Sequence, residues 1–517
     1  MAKRLTTFSK FLITLGIVGA IVLGGKYVLD NTGFGQNLKK QSGENSDTGS
    51  DSKPMGKDDG ISIGVVTWGG YAGGQYFNEG FAANTNSRFY KDYGFKVDFK
   101  ILDDFDASRA AWKSDEVQLL WSTIDAFPTE VNGLKDFDPV VVFQADWSRG
   151  GDAIVARRGI NSVADLKGKK IAVAELTPSH SFLIWLLEAG GLSIADVEII
   201  AQSSAIDAAG VFKAQRVDAA VVWSPDDEDC LRSVPGSRVL ESTRSASNII
   251  ADVFIAKRSF VEANKERLQQ LYEGWMKGAA EINASDANKR KAAKILSENF
   301  PGFTEENTYN AINNVRLCTH GDNQNFFGLN SSYQGVTGSS LYTRMANVYS
   351  DLDFITGDVP NWRLIAYPDL VKGTSLTGAE HIAEAAKEFE QLPESEGKSR
   401  EAVAVKQVSI TFRSGEFQLD ENAKYIIDKE FVEIAKAFSN ARIRIEGNTD
   451  NVGSRSSNVS LSKKRAEAVK NYLVSVHKMP ASRFIVVGNG PDKPVADNGT
   501  DEGKARNRRT DFEIVRE

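Results

Sequence analysis

The sequence GNTDNVGSRSSNVSLSKKRAEAV, residues 447–469, joins a strand-like stretch to a helix-like one. In the preceding ARIRIEG (441–447), Ile443 and Ile445 alternate with charged residues, which predicts a half-buried strand. Further on, apolar residues recur at helical spacing, namely Leu461, Val469, Leu473 and Val476. The stretch therefore places Asp450 at the carboxyl end of a strand and Arg465 on the helix that follows.

Around this stretch, residues 403–517 are predicted to form one small α+β domain. We predict strands at 405–412, 441–447, 483–488 and 510–515 and helices at 422–438 and 459–476. Residues 372–402 are predicted to be a linker, with a short helix near 379–391 and a mobile polar end.

Residues 403–517 resemble the OmpA-like peptidoglycan-binding domain over nearly their whole length. The matching residues are Gly447, Thr449, Asp450, Gly453, Asn458, Leu461, Ser462, Arg465, Ala466, Gly488, Gly490, Pro494, Asn507, Arg508 and Arg509. Asn448 stands where the family usually has His. The resemblance implies peptidoglycan as the partner, bound through the diaminopimelate of its stem peptide. The implied site residues are Asp450, Arg465, Asn458, Thr449, Leu461 and Arg508.

The charges of two of these residues suit that ligand. Diaminopimelate ends in an ammonium and a carboxylate, so its receptor needs one acid and one base. Asp450 can accept hydrogen bonds from the ammonium, and the planar fork of Arg465 can hold the carboxylate in a bidentate pair. Gly453 permits a tight turn, and backbone N–H groups near Asn458 add affinity for an anion. Each residue alone is more often a cap or a solvated charge, so the joint spacing carries the prediction.

Residues 61–371 alternate short β-branched runs with amphipathic helical stretches, which predicts an α/β fold with largely parallel sheets. They resemble periplasmic solute-binding proteins of the nitrate/taurine/sulfonate type. The matching stretches are 68–77 (WGGYAGGQYF), 121–130, 146–157, 163–175, 177–187, 216–226 and 249–256. The resemblance implies a two-lobed clamp whose chain crosses between lobes twice. We expect lobe one at 61–145 plus 250–371 and lobe two between them.

The resemblance also implies a small-solute cleft, because ligands of such folds contact loops at the carboxyl ends of strands. The candidate residues are Trp68, Gly70, Tyr71, Ser122, Thr123, Asp125, Asp146, Ser148, Thr177, Ser179, His180 and Trp223. Hydroxyls and free N–H groups at the helix start Thr177-Pro178-Ser179 favour an anionic solute. The alternatives are that Trp223 only packs and that His180 only caps the helix.

Two acids in that set, Asp125 and Asp146, would repel an anion. We therefore expect them to pair with basic residues, or the solute to carry a cationic or polar group. The candidate basic partners are Arg149, Arg157 and Lys167.

The N-terminal residues 1–30 predict a single-pass transmembrane helix. Residues 11–25 are uncharged and follow three basic residues, which places the N-terminus in the cytoplasm. A cleaved signal peptide is the alternative, although no A-x-A-like site follows the run. Residues 31–60 are polar and Gly/Ser-rich, which indicates a flexible linker. The expected location is the inner membrane, with the bulk of the chain in the periplasm.

Composition and motifs argue against several function classes. A formal net charge of −7 gives no reason to expect a nucleic-acid partner. Cys230 and Cys318 lack metal-ligand spacing, and two buried free thiols are expected rather than one bridge. No nucleophile triad, metal cluster or P-loop is recognisable, so we expect neither an enzyme nor a cofactor.

Three function hypotheses remain open at this stage. The first is an envelope-anchored solute-binding or sensing protein, tethered to peptidoglycan by its C-terminal domain. The second is a wall-anchored structural protein whose clamp binds a protein partner, including a membrane protein. The third is a receptor for an ABC transporter.

Overall fold

The computed structural model describes residues 55, 59–410, 412 and 415–515. The predicted anchor at 1–30 and nearly all of the predicted linker at 31–60 lie outside these residues. Within the described part, no helix is both long and apolar enough to cross a membrane.

The described residues form three sheets flanked by helices. The strands are β1 Ile61–Val65, β2 Val97–Ile101, β3 Leu119–Thr123, β4 Pro139–Ser148, β5 Asp152–Ala156, β6 Lys170–Ala174, β7 Glu198–Gln202, β8 Ala219–Trp223, β9 Arg238–Ser242, β10 Ala251–Lys257, β11 Val315–Leu317, β12 Ala402–Val408, β13 Arg442–Asn448, β14 Phe484–Gly490 and β15 Thr510–Val515. The α-helices are α1 Ala72–Phe77, α2 Arg88–Tyr93, α3 Phe105–Lys113, α4 Phe127–Leu134, α5 Pro178–Ala189, α6 Ala205–Lys213, α7 Asp226–Ser233, α8 Arg258–Ala263, α9 Lys265–Ala284, α10 Asp286–Ser297, α11 Glu305–Asn313, α12 His320–Phe326, α13 Gly338–Asp351, α14 Trp362–Ile365, α15 Asp369–Gly373, α16 Glu394–Ser399, α17 Glu421–Ile427, α18 Glu433–Ala437, α19 Arg455–Ser475 and α20 Asp501–Asn507. A π-helical turn, Asp428–Val432, joins α17 to α18.

Two of the sheets build the predicted two-lobed clamp. The sheet of lobe one has the order β11-β4-β10-β3-β1-β2, and the sheet of lobe two has the order β7-β6-β8-β5-β9. β1, β2 and β3 are parallel, as are β6, β7 and β8, whereas β10, β11, β5 and β9 pair antiparallel. The expectation of largely parallel sheets was therefore wrong, because strands next to the lobe crossings return in the opposite direction.

The chain passes between the two sheets twice, at 149–151 and at 243–250. β4 runs to Ser148, so Asp146 and Ser148 lie on a strand of lobe one before the first crossing. Thr243 joins the two crossings, because its Oγ1 lies 2.8 Å from Ser148 Oγ and accepts from the Gly150 N–H at 2.8 Å. These polar contacts are buried and fix the geometry between the lobes.

The third sheet, β12-β15-β13-β14, belongs to the small C-terminal domain. α19 packs directly against β13 and β14, and this close approach requires a glycine on each strand. A Cβ on Gly447 would lie 2.1 Å from the carbonyl oxygen of Ser462, and one on Gly488 would lie 2.6 Å from the Lys463 nitrogen. Ser454 caps α19 by accepting from Ser457 N at 3.2 Å, so the helix begins four residues before the predicted start.

Some predicted features of this domain were wrong in detail. Val476 is 51% exposed, because α19 ends at Ser475 and the apolar stripe ends with it. The strand β13 is buried on both faces rather than half-buried. Arg444, 6% exposed, forms ion pairs with Glu446 and Glu513 and donates to the Arg400 carbonyl at 2.8 Å. The polar face is covered because α16 and its flanks pack over it.

The segment before α16 is not the predicted helix near 379–391. Only the 3-10 turn Ala379–His381 forms, and residues 382–392 carry no helix. Their backbone groups bond to neighbouring elements instead: Glu384 N donates to Asp322 Oδ1 at 2.6 Å, and the Glu390 carbonyl accepts from Arg442 at 2.7 Å. These tertiary hydrogen bonds replace the helical ones.

The C-terminal domain packs on the clamp at the second lobe crossing. Asn248 N donates to the Ala437 carbonyl at 2.9 Å, and Asn440 N donates to Ser247 Oγ at 3.2 Å. On α13, Arg344 forms ion pairs with Glu188 of lobe two and Glu433 of the C-terminal domain. Lys406 of β12 also pairs with Glu188 at 3.9 Å, so the C-terminal domain contacts both lobes.

Candidate functional site

Asp450 lies two residues beyond β13, in a turn that exposes 13% of its side chain. One carboxylate oxygen accepts from Val452 N at 3.1 Å, and the other pairs with Arg508 Nη1 at 2.7 Å. Gly453 closes the turn with a φ of 98°, in the left-handed region that suits glycine. The acid is therefore held in place by the turn and faces a basic group.

Thr449 and Asn458 hold the same turn. The Thr449 hydroxyl donates to the Asp450 carbonyl at 2.8 Å, and Asn458 Nδ2 donates to the Val452 carbonyl at 3.0 Å. Both side chains are buried. Their contacts in the structure are with the turn, so they position Asp450.

Arg465 projects from α19 towards a cavity of about 350 Å³. It is 7% exposed, its Nε donates to the Glu416 carbonyl at 3.1 Å, and its guanidinium lies 4.7 Å from the centre of the Phe412 ring. Burial and the nearby charge of Arg508 lower the pKa of Arg465, whereas Asp450 raises it. The cavity is lined by Ser409, Ile410, Phe412, Arg465, Glu502, Ala505, Arg506 and Arg508. The structure thus brings Asp450, Arg465 and Arg508 together.

Other residues of the predicted motif lie elsewhere in the domain. Leu461 is half-buried on α19. Asn448, at the position of the family's His, lies on the opposite sheet face and donates to Asp511 Oδ2 at 3.0 Å. Arg509 is also buried there, paired with Asp511 at 2.9 Å. Asn448 and Arg509 therefore support the sheet and do not contact the cavity.

The clamp has a second candidate site between its lobes, a narrow cavity of about 20 Å³. It is lined by Val66, Trp68, Trp121, Thr123, Asp152, Pro178, Trp223, Ile250 and Asp252. The indoles of Trp68 and Trp223 approach each other across the lobes, with centroids 6.4 Å apart and ring planes inclined at 59°. Gly151 makes room for Trp68, because a Cβ there would lie 2.1 Å from the indole. Of the predicted cleft residues, Trp68, Thr123 and Trp223 line this cavity.

Several other predicted residues lie directly behind its lining. Trp68 Nε1 donates to Asp146 Oδ2 at 3.2 Å, and the Tyr71 hydroxyl donates to Asp252 Oδ1 at 2.6 Å. The Ser148 hydroxyl donates to Asp152 Oδ2 at 2.7 Å, and Trp223 Nε1 donates to Ser179 Oγ at 3.1 Å. A Cβ on Gly70 would overlap the Asp146 carboxylate. These residues orient the groups that face the cavity.

Three predicted cleft residues are engaged elsewhere. The Ser122 hydroxyl donates to Glu130 at 2.7 Å, and the Thr177 hydroxyl donates back to the Ala174 carbonyl at 2.7 Å. His180 accepts from Leu176 N at 3.2 Å, and its ring packs against Tyr349 and Phe354. Burial lowers the pKa of His180 to about 4, so the imidazole is neutral at pH 7.

Four buried aspartates surround the cleft: Asp125, Asp146, Asp152 and Asp252. Burial raises the pKa of Asp125 and Asp152 to about 7 and that of Asp146 to about 8. The pKa of Asp252 is also raised, first by burial and then by the charge of Asp146. Like charges at close range add to the cost of desolvation, so the cluster resists full ionisation when empty.

The expected pairing of these acids with basic residues was wrong. Arg149 pairs with Glu384 at 2.7 Å and Lys167 pairs with Asp196 at 3.2 Å, while Arg157 lies 3.4 Å from Gln215. Arg149 and Arg157 follow β4 and β5, and Lys167 precedes β6, so the side chains of all three reach partners other than these acids. Arg149 still lowers the pKa of Asp146 through its charge, but forms no ion pair with it within 4 Å.

Sequence reasoning missed two of the acids and one aromatic residue of the lining: Asp152, Asp252 and Trp121. Asp152 is the first residue of the apolar β5, and Asp252 lies within the buried β10, ADVFIAK. An unpaired carboxylate in an apolar strand is costly unless something compensates it. A carboxylate within an apolar strand therefore indicates a candidate binding site in the sequence.

The two thiols are buried and free, as expected. Burial raises the pKa of Cys230 to about 11 and also raises that of Cys318. A thiol with a raised pKa is a poor nucleophile at neutral pH. Among residues 59–410 and the other described positions, no cluster of His, Cys, Asp and Glu is arranged to hold a metal ion.

Two protein-family models match separate parts of the chain. Residues 411–508 match the OmpA family, and residues 80–287 match the family described as NMT1/THI5 like. These two ranges contain the C-terminal cavity with its charges and most of the clamp cleft.

Curated relatives match the C-terminal part. The outer membrane porin F of Pseudomonas aeruginosa is 36% identical over 111 residues, which are 22% of this chain and 31% of the porin. The peptidoglycan-binding protein ArfA of Mycobacterium tuberculosis is 39% identical over 92 residues, 18% of this chain and 28% of ArfA. The chain spans about a third of the length of such relatives.

The periplasmic aliphatic sulphonate binding protein SsuA from Escherichia coli is similar in structure, with a TM-score of 0.48 and 18% identity. The likeness covers 61% of this chain and 99% of SsuA. The strand orders of the two sheets by themselves define the two lobes. The chain carries an NMT1/THI5-like domain in its middle and an OmpA-family domain in its C-terminal part.

Proposed function

We propose that this protein is an envelope-associated solute-binding protein whose OmpA domain holds it to peptidoglycan. The observation that carries the proposal is the cluster of Asp450, Arg465 and Arg508. The two arginines line a cavity of about 350 Å³, and Asp450 pairs with Arg508 at 2.7 Å and acts on Arg465 through its charge. A ligand with an ammonium and a carboxylate meets an acid and two bases there. The diaminopimelate side chain of the stem peptide has those two groups.

The pocket charges suggest how such a ligand binds. In the empty domain Arg508 neutralises Asp450, and Arg508 remains 48% exposed. The carboxylate of the ligand can accept hydrogen bonds from the guanidinium groups of Arg465 and Arg508. Asp450 is then released from Arg508 and can accept from the ligand's ammonium. Thr449 and Asn458 keep Asp450 in place through the turn and need not contact the ligand.

The test is sedimentation of the full chain with purified diaminopimelate-type peptidoglycan. Asp450→Ala and Arg465→Ala are each expected to weaken binding by about 10- to 100-fold, because a charge-assisted hydrogen bond is worth about 1.5–3 kcal/mol. Arg465→Lys keeps the charge but loses the fork, so we expect an intermediate loss.

The matched control is Arg455→Ala, which removes an exposed arginine from the first turn of the same helix. It should sediment as the parent does. Thermal melting of each variant separates lost binding from lost folding. If folded Asp450→Ala and Arg465→Ala both sediment like the parent, the wall-binding pocket is misassigned.

We further propose that the clamp binds a small solute between Trp68 and Trp223. Replacing Trp68, Tyr71 and Trp223 together should abolish any ligand-induced rise in the melting temperature. A rise that persists in this variant contradicts the cleft assignment.

The narrowness of the cavity favours one alternative function, a clamp that binds a protein partner. If no solute of a tested panel raises the melting temperature, that result supports the alternative.

A further inference from the structure

The clamp cleft has an unusual charge balance. Asp125, Asp146, Asp152 and Asp252 come from three strands and a loop, and none forms an ion pair with a basic side chain in the part of the chain that the structure describes. The nearest cations are engaged with other acids: Arg149 with Glu384, and Arg109 with Glu130 at 2.7 Å. An anionic solute would add a further negative charge to this cluster.

A second observation points to a missing positive group. Asp146 is fully buried, and its Oδ1 has no hydrogen-bond partner, although its Oδ2 accepts from Trp68. Asp125 is also fully buried, with no partner for Oδ2. Both residues lie behind the cavity lining, in the same acid cluster as Asp152 and Asp252. Buried polar atoms are nearly always satisfied, so two unpartnered carboxylate oxygens in this cluster indicate that a positive group completes it.

The walls of the cleft suit a cation. Trp68 and Trp223 present two indoles from opposite lobes, and Trp121 contributes a third. The face of an indole attracts cations, with the largest effect when both partners are desolvated. Asp152 and Asp252 line the same cavity as the three indoles, so carboxylates and aromatic rings enclose one small space.

We propose that the solute of this clamp is a small organic ammonium ion, held between Trp68 and Trp223 and over the carboxylates of Asp152 and Asp252. This inference rests on the proposed solute-binding function and names its solute class. The cavity of about 20 Å³ admits little more than one water-sized group, so only the ammonium head is enclosed in this closed form. A larger substituent requires the lobes to open.

The proposal predicts a direction of pH dependence. The groups facing Asp146 are Asp152, Asp252, Arg149 and Trp68, and those facing Asp252 also include Tyr71, whose hydroxyl stays protonated because burial raises its pKa. Since the cluster holds protons near pH 7, binding of a cation expels them. Affinity for a cation therefore rises as the pH rises from about 6 to about 9.

The experiment titrates the full-length protein with methylammonium and tetramethylammonium chloride at constant ionic strength, followed by tryptophan fluorescence and calorimetry. Sodium methanesulfonate and sodium nitrate are the anion arms. Saturable binding of a cation that tightens with pH is expected, with at least about a 10-fold loss for Asp152→Asn. Asp136→Asn, which changes an exposed acid of lobe one outside the cleft, is the control and should bind as the parent does.

Two outcomes overturn the proposal. Trp68-dependent binding of an anion that tightens as the pH falls shows that protonated aspartates hold an anion; the solute-binding function then stands and the cation assignment fails. No saturable binding of either cation also overturns it, and absence of any binding by the four salts counts against the solute-binding function as well. Wall sedimentation is unaffected in every case, so it tests the tether separately.

Discussion

Replacing Arg483 by methionine is expected to lower the free energy of unfolding of the C-terminal domain by about 3–5 kcal/mol, because three buried carbonyls lose their donor. Arg483 is 2% exposed and donates to the carbonyls of Ala435, Phe438 and Ala441 at 2.8, 2.6 and 2.7 Å. Burial lowers its pKa to about 9. The cation lies at the C-terminal end of α18, where the helix dipole favours a positive charge.

The same substitution should affect the contact between the domains. Two of the carbonyls that accept from Arg483, those of Phe438 and Ala441, belong to the turn 437–441, and this turn bonds Ser247 and Asn248 at the second lobe crossing. We therefore expect Arg483→Met to loosen the domain's packing on the clamp as well as its fold. Limited proteolysis at the domain boundary measures this second effect.

Urea unfolding followed by circular dichroism measures the first effect. The control is Arg455→Met, whose side chain is 71% exposed and pairs with Asp492 on the surface. An exposed pair contributes at most about 1 kcal/mol, so this variant should stay close to the parent. Equal, small changes in both variants would show that the buried carbonyls find other donors.

The unliganded clamp is expected to become less stable as the pH rises from about 6.5 to about 8.5. In this window the unfolded chain holds its aspartates ionised, while native Asp125, Asp146 and Asp152 still bind protons because burial raises their pKa values to about 7, 8 and 7. The native state therefore binds more protons than the unfolded state, and the stability falls with pH. A shift of three units corresponds to about 4 kcal/mol per group as an upper bound.

The window from about pH 6.5 to about 8.5 lies above the range in which the titration of His180 has the opposite effect on stability. His180 has a lowered pKa of about 4, so the unfolded chain binds more protons at this residue between about pH 4 and 6.5, and stability rises with pH there. Above pH 6.5 this contribution is complete. The acid cluster then determines the slope.

Asp152→Asn should flatten this slope and make the protein more stable than the parent above pH 8. An amide keeps the shape and the hydrogen bond from Ser148 is replaced by one to the amide oxygen, while one buried charge is removed. Urea midpoints at a series of pH values measure the effect. A parent whose stability rises with pH across the window, or an unchanged slope in Asp152→Asn, would contradict the predicted protonation of the cluster.

Local sequence patterns predicted much of the C-terminal domain. The strand at 441–447 and the helix after it follow from periodicity, and Gly453 adopts the positive φ that the turn requires. α20, residues Asp501–Asn507, was missed because it is short and polar, with few apolar residues to reveal its period. The buried polar face of β13 was also missed, because its cover comes from residues distant in the sequence.

The clamp cleft also contains some residues that the sequence predicted and some contacts that it could not predict. The sequence pointed to Trp68, Thr123 and Trp223, since each follows or ends a strand in a recognisable pattern. The partners of Asp146 could not be predicted, because Asp125, Asp146, Asp152 and Asp252 meet only through the register of β3, β4, β5 and β10.

The sequence by itself determined most strands and long helices of the C-terminal domain, and it identified the acid Asp450 and the base Arg465, whose charges suit a zwitterionic ligand. Only the tertiary structure decided that Arg508 neutralises Asp450, that the OmpA domain packs on the lobe crossing, and that four aspartates share one cleft. The physical reason is the distance along the sequence over which each effect acts. Periodicity and capping act over a few residues, whereas burial and charge repulsion depend on side chains that long-range strand pairing brings together.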